Sequence, residues 1–246
     1  MFASTEPTPY CTDGPRREGD LAMDLSRRHA VLGALALPLL TKASGALAQW
    51  GPIPPLPPGM LPATGQETFG PYYPVRGPRG HDLDLTHWPN KRGRALGQVI
   101  QLSGRVTDRM GNPLPNTRVT LWQANAAGRY TNPVDTNTAP LDPNFLGVVD
   151  FTTARDGTYR LRTIKPGPYP EPSGTIRTPH IHFDVAHADY RLVTQMYFPG
   201  ESLNETDILL STLAARRRNP ATVICKPAAT SEPGVVAFTF DIVMLA

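Results

Sequence analysis

The sequence predicts an all-β fold: a β-sandwich of mainly antiparallel strands behind an extended Pro-rich N-terminal arm, with at most one or two short helices. Three observations predict it. Short strand signals recur from Gly97 to the C-terminus, turn residues punctuate them at close intervals, and helical spacing of apolar residues appears only once.

The 246-residue chain divides by composition. Ser26-Arg27-Arg28, an apolar run from Ala30 to Leu40, Lys42 and Ala46-Leu47-Ala48 have the order of an export signal, and the paired arginines point to the twin-arginine route. The apolar run is too short for a bilayer-spanning helix, which needs about 20 residues, so no stable membrane anchor is expected once the segment is removed. Residues 1–48 are read as this signal, with Met23 as an alternative translation start, and the mature chain as beginning at Gln49. The expected location is periplasmic or secreted. Residues 49–95 are rich in Pro and Gly and read as the extended arm, and residues 96–246 as the sandwich.

Within the sandwich each element has its own signal. Val99, Gln101 and Ser103 alternate with Ile100, Leu102 and Gly104, and Val106 continues the strand. Asp108 to Pro113 makes a turn, and Arg118 to Gln123 a returning strand. Asp156-Gly157 between Phe151-Thr152-Thr153 and Tyr159 to Thr163 predicts a hairpin. Ile208, Leu209 and Leu213 predict a helix over Asp207 to Arg216, capped by Asn204 or Thr206. Val236, Phe238, Phe240, Ile242 and Met244 share one face of the last strand.

The chemistry lies in His180-Ile181-His182-Phe183. In an extended chain His180 and His182 point one way, and Ile181 and Phe183 the other. Two imidazoles on one face suit zinc, copper, nickel or iron. Tyr130 closes the loop Ala124 to Arg129, and Tyr169 sits in Pro166-Gly167-Pro168-Tyr169-Pro170, whose prolines fix the backbone around its ring. Taken singly, a tyrosine is most often a packed ring with a hydrogen-bonded hydroxyl, and Tyr159, Tyr190 and Tyr197 are read so. The net charge is +3, and the removed segment is balanced, so the mature charge is unchanged. No basic stripe interleaved with aromatics points to nucleic acid. Cys11 lies in the removed segment, which leaves Cys225 unable to form an intrachain disulfide.

These motifs together resemble the intradiol ring-cleavage dioxygenases, and among them the protocatechuate 3,4-dioxygenase β chain. The likeness is carried by Leu102 to Asp108, Asn112 to Pro115, Leu121 to Tyr130, Pro140 to Phe145, Arg162 to Pro170, the His-Ile-His-Phe strand, Thr194 to Phe198 and Phe240 to Val243, in one order from about Thr64 onward. The resemblance implies a non-haem Fe(III) held by Tyr130, Tyr169, His180 and His182. It implies a small catechol and O2 as substrates, with Tyr169 the ligand that a catechol displaces and Tyr130 the one that stays. It places Arg177 beside the substrate ring, where a fixed guanidinium stabilises developing negative charge. Gln195 matches an active-site glutamine, and Tyr72 or Tyr73 an arm residue that reaches the pocket, that of a neighbouring subunit included. A homo-oligomer, or pairing with a related chain, is implied as well.

One departure bears on the substrate. Where protocatechuate enzymes commonly place an aromatic residue after Pro-Gly-Pro-Tyr-Pro, this chain has Glu171, which would repel a benzoate unless it points to solvent. Two other readings compete. A non-catalytic transthyretin-like or carbohydrate-binding sandwich would explain residues 97–123 but has no use for the four donors. A zinc or copper enzyme built on the histidine pair would not depend on Tyr130.

Overall fold

Period-two patterning from Val99 onward does become two facing sheets. The structure, a computed structural model, describes residues 55–75, 82–88, 91–171, 173–216 and 218–246. The export segment, the first residues of the arm and His81 lie outside them.

In chain order the strands are β1 (Val99–Thr107), β2 (Arg118–Trp122), β3 (Val148–Thr152), β4 (Thr158–Ile164), β5 (Tyr169–Pro170), β6 (Ile176–Arg177), β7 (His180–His187), β8 (Tyr190–Tyr197), β9 (Lys226–Ala228), β10 (Val236–Thr239) and β11 (Ile242–Val243), with one α-helix, α1 (Ile208–Ala215). One sheet runs β11-β1-β10-β9 with β4 also on β1; the other runs β3-β2-β7-β8; β5 and β6 form a separate short hairpin. All pairings are antiparallel except those of β1 with β10 and β11. The core lies between the sheets, where Ile100, Leu102 and Leu161 meet Leu121, Ile181 and Phe183. No helix among the described residues is long and apolar enough to cross a membrane.

Gly104 lets β1 pass close to the end of β10. A Cβ there would run into the Phe240 carbonyl oxygen, which already accepts the buried Tyr159 hydroxyl at 2.6 Å. Gly104→Ala is therefore expected to destabilise the chain by about 1–3 kcal/mol, read as a lower urea midpoint at unchanged slope.

Three local expectations are corrected. Asp156-Gly157 does form a tight turn, with the Gly157 N–H donating to Ala154 O at 2.9 Å. It makes no hairpin, because β3 pairs with β2 while β4 pairs with β1, and the turn carries the chain between sheets. The Thr117 and Thr153 hydroxyls both donate to Leu114 O at 2.8 Å, which pins the chain where it leaves the sheet. For the same reason β2 is no return along β1, and it ends at Trp122. The helix is capped by neither Asn204 nor Thr206: the Asp207 carboxylate accepts from the Leu209 and Leu210 N–H groups at 3.0 and 3.1 Å. Leu210 and Leu213 face inward and Ile208 is exposed, a narrower apolar stripe than the one expected. The last strand breaks at Phe240-Asp241 into β10 and β11, yet Phe238, Phe240, Ile242 and Met244 remain buried on one face; Val236 at its start is exposed.

The described part of the arm runs over this chain's own sandwich. Leu61, Thr64 and Glu67 donate their N–H groups to the Arg109, Val243 and Val193 carbonyls, at 2.8, 3.0 and 2.8 Å respectively.

Candidate active site

Strand β7 is buried on both faces, and the two faces differ. Ile181, Phe183 and Val185 belong to the core between the sheets, while His180 and His182 turn outward under a cover of aromatics. Register then decides their neighbours. Trp122 of β2 and Gln195 of β8 flank His182, and Tyr197 flanks His180. The indole of Trp122 stacks on His182 at 4.6 Å and 7° between planes, which fixes the imidazole's tilt.

The tyrosines come from two loops locked together by their backbones. Asn125 shapes the first: its side-chain oxygen accepts the Ala127 and Arg129 N–H groups at 2.9 and 3.0 Å, and Gly128 follows at φ +79°. A Cβ on Gly128 would strike the Pro168 carbonyl of the second loop, and the Gly167 N–H donates back to Asn125 O at 2.9 Å. This contact sets Tyr130 against Tyr169, whose rings meet edge to face at 5.2 Å. The Asp135 carboxylate accepts the Tyr130 N–H at 2.8 Å and fixes the far end of the first loop.

Four donor atoms converge. The Nε2 atoms of His180 and His182 lie 3.1 Å apart, the Tyr130 hydroxyl is 3.2 Å from His182 Nε2, and the Tyr169 hydroxyl is 3.4 Å from His180 Nε2. His180 donates Nδ1–H to the Thr178 carbonyl at 2.7 Å, so its Nε2 carries the lone pair that faces inward. Burial keeps both imidazoles neutral, well below the usual histidine range, with the Arg177 charge pushing the same way. Burial also pushes the Tyr169 phenol up to about 12, against the pull of Arg177, and burial likewise raises the Tyr130 phenol well above its ordinary value. No group of three or more His, Cys, Asp or Glu suited to a metal occurs among the described residues, so any four-donor site here needs the two phenols. Two phenol oxygens and two neutral imidazoles fit a hard trivalent ion, because phenolates supply the charge that imidazoles lack.

Behind this cluster Arg177 is wholly buried, opposite Tyr169 across the β5–β6 hairpin. Its Nε–H donates to Asp207 at 2.8 Å, Nη2 to Gln195 Oε1 at 2.7 Å and to the Tyr197 hydroxyl at 3.3 Å, and Nη1 to Glu171 at 3.2 Å. Of five guanidinium N–H groups these acceptors take four, which leaves one on Nη1. Burial alone would raise the Asp207 carboxyl, but its bond to Arg177 holds it below the ordinary value. One carboxylate thus caps α1 and anchors the arginine.

Glu67 faces the same network. Its Oε1 is buried without a partner among the described residues, and burial pushes its carboxyl from 4.5 up to about 7, although Arg177 pulls the other way. A raised carboxyl pKa means that folding favours the protonated form, so its stabilising contribution is complete below pH 4.5 and lost as pH rises through 7. Glu67→Gln should flatten that decline and leave the variant about 2 kcal/mol more stable than the parent at pH 8, by denaturant titration across pH.

The remaining expected site residues separate. Tyr72 enters the site of its own chain, its ring 4.7 Å from Tyr130 and 5.8 Å from Tyr169. Tyr73 points away: its hydroxyl donates to Asp184 at 2.9 Å and its ring packs edge-on against Trp122, so it supports the wall without facing the donors. Gln195 is fully buried and holds Arg177, with its amide donating to Thr68 O at 3.2 Å. Glu171 does not point to solvent; it reaches Arg177. His187 ends β7 beside the Thr117 hydroxyl at 3.0 Å, away from the cluster. Asp207 and Trp122 were not singled out by sequence, although an Asp directly before an apolar helical run is a cap signal. A cavity of about 380 Å³ lined by Tyr72, Trp88, Trp122, Tyr130 and Leu146 adjoins the donors; a larger groove of about 730 Å³, bordered by Leu56, Tyr190 and Met244, lies elsewhere.

Known proteins are similar to this chain in sequence and fold. A family model described as Dioxygenase matches residues 68–246. The protocatechuate 3,4-dioxygenase beta chain of Burkholderia cepacia is 43% identical over 188 residues, which is 74% of this chain and 76% of that one. A hydroxyquinol 1,2-dioxygenase of Nocardioides simplex is 30% identical over 180 residues, and this chain spans 57% of its length. The solved dioxygenase domain of a dioxygenase and carbohydrate-binding protein fusion from Streptomyces sp. SirexAA-E has a TM-score of 0.54 at 30% identity, covering 74% of this chain and 97% of that domain. A stand-alone binding module resembling residues 97–123 would not match through all four donors to the C-terminus. The chain belongs to the intradiol ring-cleavage dioxygenase family and is an enzyme of that class.

Proposed function

We propose that this chain holds a non-haem Fe(III) at Tyr130, Tyr169, His180 and His182 and uses O2 to cleave a catechol between its hydroxylated carbons, giving a cis,cis-muconate. The observation that supports the reading is a buried run of four donor atoms, Tyr169 hydroxyl, His180 Nε2, His182 Nε2 and Tyr130 hydroxyl, with successive separations of 3.4, 3.1 and 3.2 Å. Bound there, ferric iron would draw electron density from a chelated catecholate and open its ring to dioxygen.

The chain's own residues do the rest. His180 and His182 offer lone pairs from orientations fixed by the Thr178 carbonyl and the Trp122 ring. Tyr130 is fixed by its loop, while Tyr169, on the two-residue strand β5, would hold the metal as a phenolate and is the ligand whose phenolate oxygen would take a catechol proton. Arg177, paired with Tyr169 across the β5–β6 hairpin, keeps one Nη1 N–H unbonded and would stabilise negative charge growing on a substrate oxygen. Tyr72 covers both phenols and helps keep water out.

Residues 1–48 serve export by the twin-arginine route to the periplasm or beyond, and the catalytic chain begins at Gln49. An N-terminus at Gln49 in the periplasmic fraction supports this; full-length chain confined to the cytoplasm contradicts it. One relative is named a beta chain, which supports assembly with a second copy or a related chain. The test of the catalytic reading is an anaerobic titration of iron-analysed protein with catechols, followed in the visible spectrum. A tyrosinate charge-transfer band that shifts on addition supports it, and iron-free, colourless protein overturns it.

A further inference from the structure

We infer that the site accepts catechols whose ring substituent is neutral or cationic and turns away ring carboxylates, with Glu171 as the selecting residue. The inference rests on the proposed function and deepens it. It is carried by where Glu171 lies, what it occupies and the charge it leaves behind.

Its place follows from strand alternation. Tyr169 is buried and Pro170 exposed, so Glu171, two residues after Tyr169, returns to the face of the hairpin that carries the phenol. The hairpin continues through it, because the Glu171 N–H donates to Thr175 O at 2.8 Å. Residues two apart on a strand lie about 7 Å from each other, roughly the span of one substituted benzene ring. A catechol held by its two oxygens at the donor cluster would thus direct a distal substituent toward the Glu171 carboxylate.

What Glu171 occupies is the donor an acidic substrate would need. A ring carboxylate is bound best by the parallel N–H pair of an arginine fork. Arg177 is the guanidinium bonded into this site, and Asp207, Gln195, Tyr197 and Glu171 already engage it on all three nitrogens. The Glu171 side chain is only 22% exposed, so water screens its charge incompletely.

The charge sum has one sign. Arg177 carries one positive charge against the Asp207 and Glu171 carboxylates that both bond it, so this group is net negative by one, and Glu67 adds a second negative charge when ionised. Arg191, at the wall beside Tyr73, is committed to Asp184 through two bonds of 2.8 Å. A substituent carboxylate would meet like charge in a site with no spare fork, whereas an ammonium group would find an acceptor.

The experiment is an anaerobic visible titration of iron-loaded parent and Glu171→Gln proteins with catechol, 3,4-dihydroxybenzoate and 4-(2-aminoethyl)catechol, read as Kd. The parent should bind the amine and plain catechol at least about 10-fold more tightly than the benzoate, a gap that narrows as salt is added. Glu171→Gln should close that gap by at least about 10-fold, through tighter benzoate and weaker amine binding. The parent's own order of affinities tests the inference even where the variant folds poorly. A parent that prefers the benzoate, or an affinity ratio that Glu171→Gln leaves within about twofold, overturns the inference while the catalytic reading stands. Protein that binds iron yet responds to none of the three overturns both.

Discussion

Arg177→Met is expected to destabilise the chain by about 3–5 kcal/mol, because it strands the Asp207 carboxylate in a fully buried site. The Gln195 and Tyr197 side chains lose their partner in the same step. Denaturant unfolding of Arg177→Met, Asp207→Asn and the double variant separates the contributions. Asn keeps a capping oxygen for the Leu209 and Leu210 N–H groups and removes the charge, so the double variant should recover much of the loss. Two single losses that simply add would contradict a coupled buried pair. Should Arg177→Met still load iron, its turnover should fall by about 100-fold or more, the usual scale for removing a preorganised charge-stabilising donor.

His180→Ala and Tyr130→Phe are expected to abolish iron retention and the visible band together, and with them ring cleavage. Each removes one of four converging donors, and the four lie too close for water to make good the loss without reorganising the site. Thr178→Ala should be much milder, since the backbone carbonyl that orients His180 remains. Iron content after dialysis, set against melting temperature, distinguishes a lost ligand from a lost fold. Tyr130→Phe protein that keeps stoichiometric iron and its colour would remove Tyr130 from the ligand set.

How much of this was legible in the sequence depended on the range of the interaction. Alternation in β1 and β7 is a local property, and it correctly separated Ile181 and Phe183 from His180 and His182. Partner choice is not local. Asp156-Gly157 announced its turn, but the identity of the strand beside β3 is set by the register of β2, and nothing near residue 156 encodes that. The helix cap was misplaced because Asn204, Thr206 and Asp207 are all cap formers within four residues; Asp207 wins because its second oxygen also binds Arg177 and the Thr178 N–H.

The candidate site was legible mainly through resemblance. Tyr130 and Tyr169 stand far apart in the chain, and the close approach of Gly128 to Pro168 with the Gly167 to Asn125 backbone bond brings their rings together. Gln195 matches an active-site glutamine in sequence, and in the fold its amide engages Arg177, Tyr197 and Thr68. Tyr72 and Tyr73 were indistinguishable in sequence, and one residue of strand-like alternation sends them to different sides of the wall. The direction of Glu171 could not be read at all, because it depends on the hairpin that pairs Tyr169 with Arg177 and Pro170 with Ile176.

The most direct test of the central claim is a single turnover of the iron-loaded protein with plain catechol under 18O2, with mass analysis of the acid released. Ring opening between the hydroxylated carbons with both labelled atoms in a muconate is the predicted result. Recovery of unaltered catechol, a quinone, or an acid cleaved outside the diol would contradict it.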